Sequence, residues 1–217
     1  MIQTYKDFSW IPSNFEVFKE KDVHPHVDEE KSHLFESLDG ASTELEVLNW
    51  IHSTIRLIKP EKIVETGSFL GLGTLAMSHA CSMNGFGKVY SIENSSKALE
   101  YAKNLITNFQ LDNFVKFIEM ESLDYLKSCD EVFDIGFFDS ENTIRAKECK
   151  ICFDKKILKK MAIFHDTSEY RNFGHEEFTK QQNEYRDEIF NLTKNPICKG
   201  FFENKLSRGI IALFLDA

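Results

Sequence analysis

The sequence predicts an α/β fold: a mostly parallel sheet with helices on both faces and an antiparallel last strand. Three observations carry that expectation. Short apolar runs at residues 88–92, 114–118, 132–138 and 161–164 alternate with longer segments whose apolar residues stand three or four apart, the strand and helix alternation of a parallel sheet. An earlier run, Ile63 and Val64, ends in Glu65 and opens into a glycine-rich turn with Gly67, Gly71 and Gly73. The chain closes on two strand-like runs, 197–202 and 209–215, joined by a polar loop in the manner of a β-hairpin.

In order, residues 1–40 carry no sustained period and hold a charged stretch broken by Pro25, so they read as an arm or lid ahead of a domain at 41–217. His24 and His26 read there as solvated loop residues. A helix follows from residue 42, with Leu45, Leu48, Ile51, Ile55 and Ile58 on one face, Ser42 or Thr43 as its cap and Pro60 as its stop. After the glycine turn, residues 74–84 read as a helix ended by Gly85 and Gly87, and the strand at 88–92 ends in Glu93. Ser95 or Ser96 caps the next helix, whose stripe is Leu99, Ala102, Leu105, Ile106 and Phe109. The strand at 114–118 leads to Glu121 and Ser122, and Leu123 and Leu126 lie on a short helix. The near-continuous apolar run 132–138 suits a central parallel strand and ends at Asp139. A Lys-rich helix extends to about Lys160, and the strand 161–164 ends in His165, Asp166 and Thr167. Residues 174–192 place Phe178, Tyr185, Ile189 and Leu192 on one side of a polar helix.

Length and composition bound the function. A chain of 217 residues with 42% hydrophobic residues, 20 of them Phe, fits one core covered on both faces. Its first ten residues lack an export pattern and no apolar stretch approaches the ~20 residues that span a bilayer, so a soluble, cytoplasmic protein without membrane association is expected. Five cysteines, an odd number, are expected as reduced thiols, and the Cys149/Cys152 pair lacks the second pair of a zinc site. A net charge of −9 disfavours a nucleic-acid partner, whose affinity comes largely from neutralised phosphates. A homodimer is left open.

The acid-x-Gly-x3-Gly-x-Gly pattern from Glu65 to Gly73 resembles motif I of the class I S-adenosylmethionine (SAM) dependent methyltransferases. That resemblance implies a Rossmann-like seven-stranded sheet and SAM as cofactor. It implies Glu65 near the methionine amino group and Gly67, Gly71 and Gly73 beneath methionine and ribose, with Ser68 and Thr74 in the same turn. It further implies Glu93 on the ribose hydroxyls, Glu121 and Ser122 against the adenine, Thr43 holding the SAM carboxylate, and Asp139 at the next strand end. A rival remains at this stage, because Gly71, Gly73 and Ala76 also satisfy the loose dinucleotide fingerprint G-x-G-x-x-G/A. The intervening residues 66–70 make a longer loop than a pyrophosphate site wants. An NAD(P)-dependent oxidoreductase or a non-catalytic nucleotide-binding module is the alternative.

Residues 42–215 are most similar to the small-molecule branch, the macrocin-type and catechol-type O-methyltransferases and relatives of cephalosporin hydroxylase. The resemblance implies a small-molecule acceptor hydroxyl, on a sugar, polyketide or phenol; with the sheet core supplying the SAM site, the aperiodic arm at 1–40 and the region after Asp166 are left to cover that acceptor. It also implies Mg²⁺ between Asp139 and Asp166, with His165 or His175 as the alternative base. Two departures stand out: Thr167 replaces the Asn of the catechol type, and Leu158, Lys159 and Lys160 stand where the family has paired glycines before the fifth strand. The Asn/Asp-Pro-Pro-aromatic loop of base-amino methyltransferases is absent after Asp139.

Overall fold

The computed structural model describes residues 10–11, 15–171 and 174–216; the rest of the expected arm, residues 1–9 and 12–14, lies outside the described residues. A small two-stranded sheet comes first, β1 (Phe18–Lys19) and β2 (Glu36–Ser37), with the short helix α1 (Glu20–Val23) between them. The main domain then runs α2 (Leu45–Ile58), β3 (Lys62–Thr66), α3 (Leu72–Asn84), β4 (Lys88–Glu93), α4 (Ser96–Asn108), β5 (Val115–Glu119), α5 (Ser122–Ser128) and β6 (Phe133–Phe138). It ends with α6 (Asn142–Asp154), β7 (Leu158–His165), α7 (Glu176–Leu192), β8 (Cys198–Asn204) and β9 (Ile210–Leu215).

Seven strands form one sheet in the order β5-β4-β3-β6-β7-β9-β8. The first five pair in parallel, and β9 runs antiparallel to both β7 and β8, as the closing hairpin predicts. Strand periodicity of two decides the layers. On β6, Ile135 and Phe137 face Val47, Ile51 and Ile55 of α2 and Met77 and Ala80 of α3. Phe138 faces the opposite layer, with Cys149 and Cys152 of α6 and Tyr185 and Ile189 of α7, and Phe133 joins it there because the register shifts between Phe133 and Ile135. Both faces of the central strands are therefore buried, which is why 132–138 reads as a near-continuous apolar run. The order turns back between β3 and β6, and ligands of open α/β sheets bind in the crevice outside the strand C-termini at such a switch point.

Several boundaries differ from the sequence reading, each for a local reason. Helix α6 stops at Asp154, not near Lys160, because Lys156 takes a left-handed φ of 56° and turns the chain into β7. The Lys155 amine donates to the carbonyls of Leu126, Lys127 and Cys129, tying this turn to the end of α5. Residues 158–160, expected as that turn, are instead the start of the strand, where Leu158 is fully buried. Helix α2 starts at Leu45 with Glu44 at the cap position; the hydroxyls of Ser42 and Thr43 serve Asp39 and Asp139. Helix α3 begins at Leu72 and β5 at Val115, while Ser95 caps α4 as expected by accepting from the Ala98 N–H. Phe178 is exposed, so the buried side of α7 rests on Tyr185 and Ile189. His24 is buried beside α1, where burial first and Arg208 next push its pKa down to about 4; it is not a solvated loop residue.

The described part of the arm is tied to the main domain by charge. Glu20, wholly buried, accepts from Ser37 and pairs with Arg208 Nε at 2.9 Å, and the Ser207 N–H donates to Glu29. All five cysteines are free thiols, and Cys149 and Cys152 are buried packing residues of α6.

Candidate functional site

A cavity of about 560 Å³ opens at the C-terminal edge of the sheet, over the ends of β3, β4, β6 and β7. Most residues expected at the cofactor line it: Thr43, Glu65, Gly67, Ser68, Gly73, Glu93, Glu121, Ser122 and Asp139. Gly67 (φ 78°) turns the chain at the end of β3, and an added Cβ would stand 2.5 Å from the Asp139 carbonyl oxygen. Only glycine lets the turn lie this close to β6 while keeping a left-handed backbone. Glu93 leaves β4 with its carboxylate gripped by two backbone N–H groups, those of Phe69 and Ser95, each at 2.9 Å. A carboxylate has about four acceptor sites, so capacity remains for a pair of ligand hydroxyls. Ser68 is buried with no partner on its hydroxyl, at the cavity wall.

Three residues of the expected set have another job. Gly71 (φ 90°) does not line the cavity; a Cβ there would meet Ala102 at 2.9 Å, so this glycine lets α3 begin against α4. Gly73 borders the cavity with ordinary helical backbone, and its missing side chain makes room for Glu65, whose Oε1 would stand 2.5 Å from a Cβ. Thr74 is buried behind that carboxylate and donates its hydroxyl to Glu65. Burial, opposed by the Thr74 and Ser91 hydroxyls, raises the Glu65 pKa to about 7.

The other end of the cavity is a buried network of charges. His165 sits on the end of β7 with Nε2 2.5 Å from Glu44 Oε2 and Nδ1 3.0 Å from Asp139 Oδ1. Burial would lower its pKa, yet Asp166, Asp139 and Glu44 together outweigh that and hold it up at about 9. Glu44, against burial, is pulled down to about 2 by His165 and Arg208. Asp166 (φ 60°) is ringed by Arg171 Nη1 at 2.6 Å, Arg145 Nη2 at 3.1 Å and Arg208 Nη1 at 3.7 Å. Burial opposes its charge, but Arg171, His165, Arg208 and Arg145 keep its carboxyl well below the usual range. Glu44, Arg145 and Arg208 escape the sequence reading because each sits on a helix or loop remote in sequence, and no motif spacing marks them. The expected base His175 is not brought here: it caps α7, exposed, with its ring edge-on to Phe178.

The expected Mg²⁺ does not fit this donor set. Asp139, His165 and Asp166 each offer a ligand atom, all within 4.8 Å of one another. The Arg145 guanidinium, however, stands 3.1 Å from Asp139 Oδ1 and 3.1 Å from Asp166 Oδ2, between the two carboxylates. Mg²⁺ demands near-octahedral oxygen at about 2.0–2.1 Å, which a cation already bridging the pair denies it. Turnover is therefore expected to survive EDTA within about twofold. Loss of activity in EDTA that Mg²⁺ restores would show that Arg145 yields to a metal.

A sheet in this order, with only its last strand reversed and a glycine turn at its switch point, is the Rossmann-like fold that this chain shares with solved methyltransferases. Residues 64–167, the glycine turn through Thr167, match the family model described as a methyltransferase domain. The SAH-bound methyltransferase PaMTH1 of Podospora anserina shares the fold with a TM-score of 0.72 at 14% identity, covering 94% of this chain and 91% of that one. The O-methyltransferase TomG of Streptomyces achromogenes, solved with SAM, gives 0.68 at 15% identity over 92% of this chain and 88% of that one. A curated relative, described as a probable cobalt-precorrin-6B C(15)-methyltransferase (decarboxylating) of Sulfurisphaera tokodaii, is 26% identical over 181 residues, 83% of this chain and 89% of its own length. Among the described residues no helix is long and apolar enough to cross a membrane.

Proposed function

We propose that this protein binds SAM and transfers its methyl group to a hydroxyl of a polar small molecule. The observation that carries the reading is the Glu93 carboxylate, held by two backbone N–H groups on the wall of a 560 Å³ cavity that Gly67 and Ser68 also line. In this reading Glu93 takes the ribose hydroxyls, Gly67 and Ser68 lie along the methionine portion with Glu65 near its amino group, and Glu121 and Ser122 border the adenine. SAM supplies an electrophilic methyl on a sulfonium, and the protein's task is to align the acceptor with it and take the acceptor's proton.

Asp139 is the carboxylate of the cluster best placed to meet an acceptor. Its side chain is 17% exposed, against 1% for His165 and 0% for Glu44. His165, held charged among three carboxylates, donates to Asp139 and fixes its orientation together with the Thr43 hydroxyl at 2.9 Å. The apolar lining residues Phe69, Leu72, Ile92, Met120, Leu123 and Ile144 belong to the elements around Glu93, Glu121 and α6, while the Asp139 end is lined by Ser42, Thr43, His165, Asp166 and Arg208. A hydroxylated, polar acceptor such as a sugar suits that end better than a flat phenol. Ala41 is the first described residue to line the cavity, so the described part of the arm acts on it through Glu20 and Arg208.

The decarboxylating C-methyltransferase relative favours a second reading, transfer to carbon, which shares the cofactor site and differs in the acceptor. Cofactor binding is tested by thermal or chemical unfolding with ligand. At about 100 times its Kd, SAM or SAH should stabilise the protein by about 2.7 kcal/mol, and NAD should do nothing. A response to NAD without one to SAM would replace this reading by a dinucleotide enzyme. With isotopically labelled methyl donor, the carbon shift of the transferred methyl separates an ether from a C-methyl product.

A further inference from the structure

Glu148 is a wholly buried carboxylate on α6 that does not line the cavity and matches no motif. Its neighbours on the helix, Ala146, Cys149 and Cys152, belong to the apolar core. An apolar residue would suit that layer, and a carboxylate buried without partners costs several kcal/mol. Its partners are three hydroxyls. Thr66 donates to Oε2 at 2.8 Å, Ser122 donates to Oε1, and Ser140 reaches both oxygens at 2.9 Å. Burial raises the Glu148 pKa, and the hydroxyls of Ser122, Thr66 and Ser140 act against that rise.

Two of the hydroxyls, those of Ser122 and Ser140, belong to residues that line the cavity, and the third, Thr66, lies buried directly behind the glycine turn. Thr66 ends β3 directly before Gly67, Ser122 opens α5 beside Glu121, and Ser140 follows Asp139 at the end of β6. Their chain separations from Glu148 are 82, 26 and 8 residues, so no local turn could hold them together. A carboxylate only accepts, which lets all three hydroxyls donate inward at once; an amide would turn an N–H₂ towards at least one of them.

We propose that Glu148 is a positioning residue for the cofactor site: it sets the spacing of the glycine turn, the adenine-side wall and the Asp139 loop from behind. The proposal rests on the SAM reading. Its consequence is that removing the carboxylate loosens cofactor binding without removing any group that touches the cofactor.

The experiment measures SAH affinity by calorimetry and unfolding midpoint separately, for wild type, Glu148→Gln, Glu148→Ala, Ser122→Ala and the Glu148→Gln/Ser122→Ala double variant. SAH affinity should fall about tenfold in Glu148→Ala and less in Glu148→Gln. The double variant should lose less than the product of the two single losses, since both changes break one shared contact. Should Glu148→Ala not fold, the Glu148→Gln and Ser122→Ala cycle decides alone. Folded variants that bind SAH within twofold of wild type, or single losses that multiply, would overturn the proposal even though wild type binds SAH. No SAH binding by wild type would instead remove the cofactor reading, and this proposal with it.

Discussion

Arg145→Ala is expected to destabilise the protein by about 3–5 kcal/mol, the range for breaking a buried ion pair from one side. Arg145 is 4% exposed, and its guanidinium uses all three nitrogens. Nε donates to the Ser140 carbonyl at 2.7 Å, Nη1 to the His165 carbonyl at 2.6 Å, and Nη2 lies 3.1 Å from carboxylate oxygens of both Asp139 and Asp166. Its plane also rests over the Tyr185 ring, 5.6 Å from the centroid. Truncation leaves two carboxylates with less countercharge and two carbonyls without this donor. Arg145→Lys should recover little, because a point charge cannot reach two loops and two carboxylates from one fork. The urea midpoint measures the loss. A fall of less than about 1 kcal/mol would mean that Arg171 and Arg208 suffice to neutralise Asp166. Turnover should fall with stability, since the same fork fixes the ends of β6 and β7 on which Asp139 and His165 stand.

The second large effect is an alkaline loss of stability governed by His165. Burial works against its charge, but Asp166, Asp139 and Glu44 raise its pKa from 6.5 to about 9. A raised histidine stabilises the fold fully below its unfolded pKa and loses that contribution as pH rises through the folded one. Stability should therefore decline between pH 6.5 and 9 by an amount on the order of 3 kcal/mol. Glu20 and Glu65, raised by burial to about 7, push the same way between 4.5 and 7. His24, His26 and His52, lowered by burial to about 4, oppose them there, because stability tied to a neutral histidine is lost as pH falls below 6.5. The limb above neutrality is thus the one that isolates His165. In His165→Asn the midpoint should be lower at pH 6.5 and nearly flat towards pH 9. An unchanged slope would place the titrating group elsewhere.

The residues that line the glycine-turn half of the cavity were legible because their placement is local. Glu65, Gly67, Glu93 and the Glu121/Ser122 pair each follow a strand, and a parallel sheet brings all its strand ends to one edge, so position after a strand is position at the site. The seven strands were legible for a related reason, since apolar period and turn residues act over a few neighbours. Even within the glycine motif, spacing did not separate roles: Gly67 meets β6 at the cavity, whereas Gly71 meets α4.

The sequence by itself determined the α/β order, the reversed last strand and the carboxylates at the strand ends, because these depend on residues close together in the chain. Only the tertiary structure decided what those carboxylates face. Glu44 is 121 residues from His165, and Arg208 is 166 from the Ser42 carbonyl it binds. Charge pairing inside a low-dielectric interior depends on distance in space and on burial, neither of which a linear motif records. That is why Asp139 and Asp166 read as a magnesium pair in the sequence and stand in the fold as the two arms of an arginine bridge.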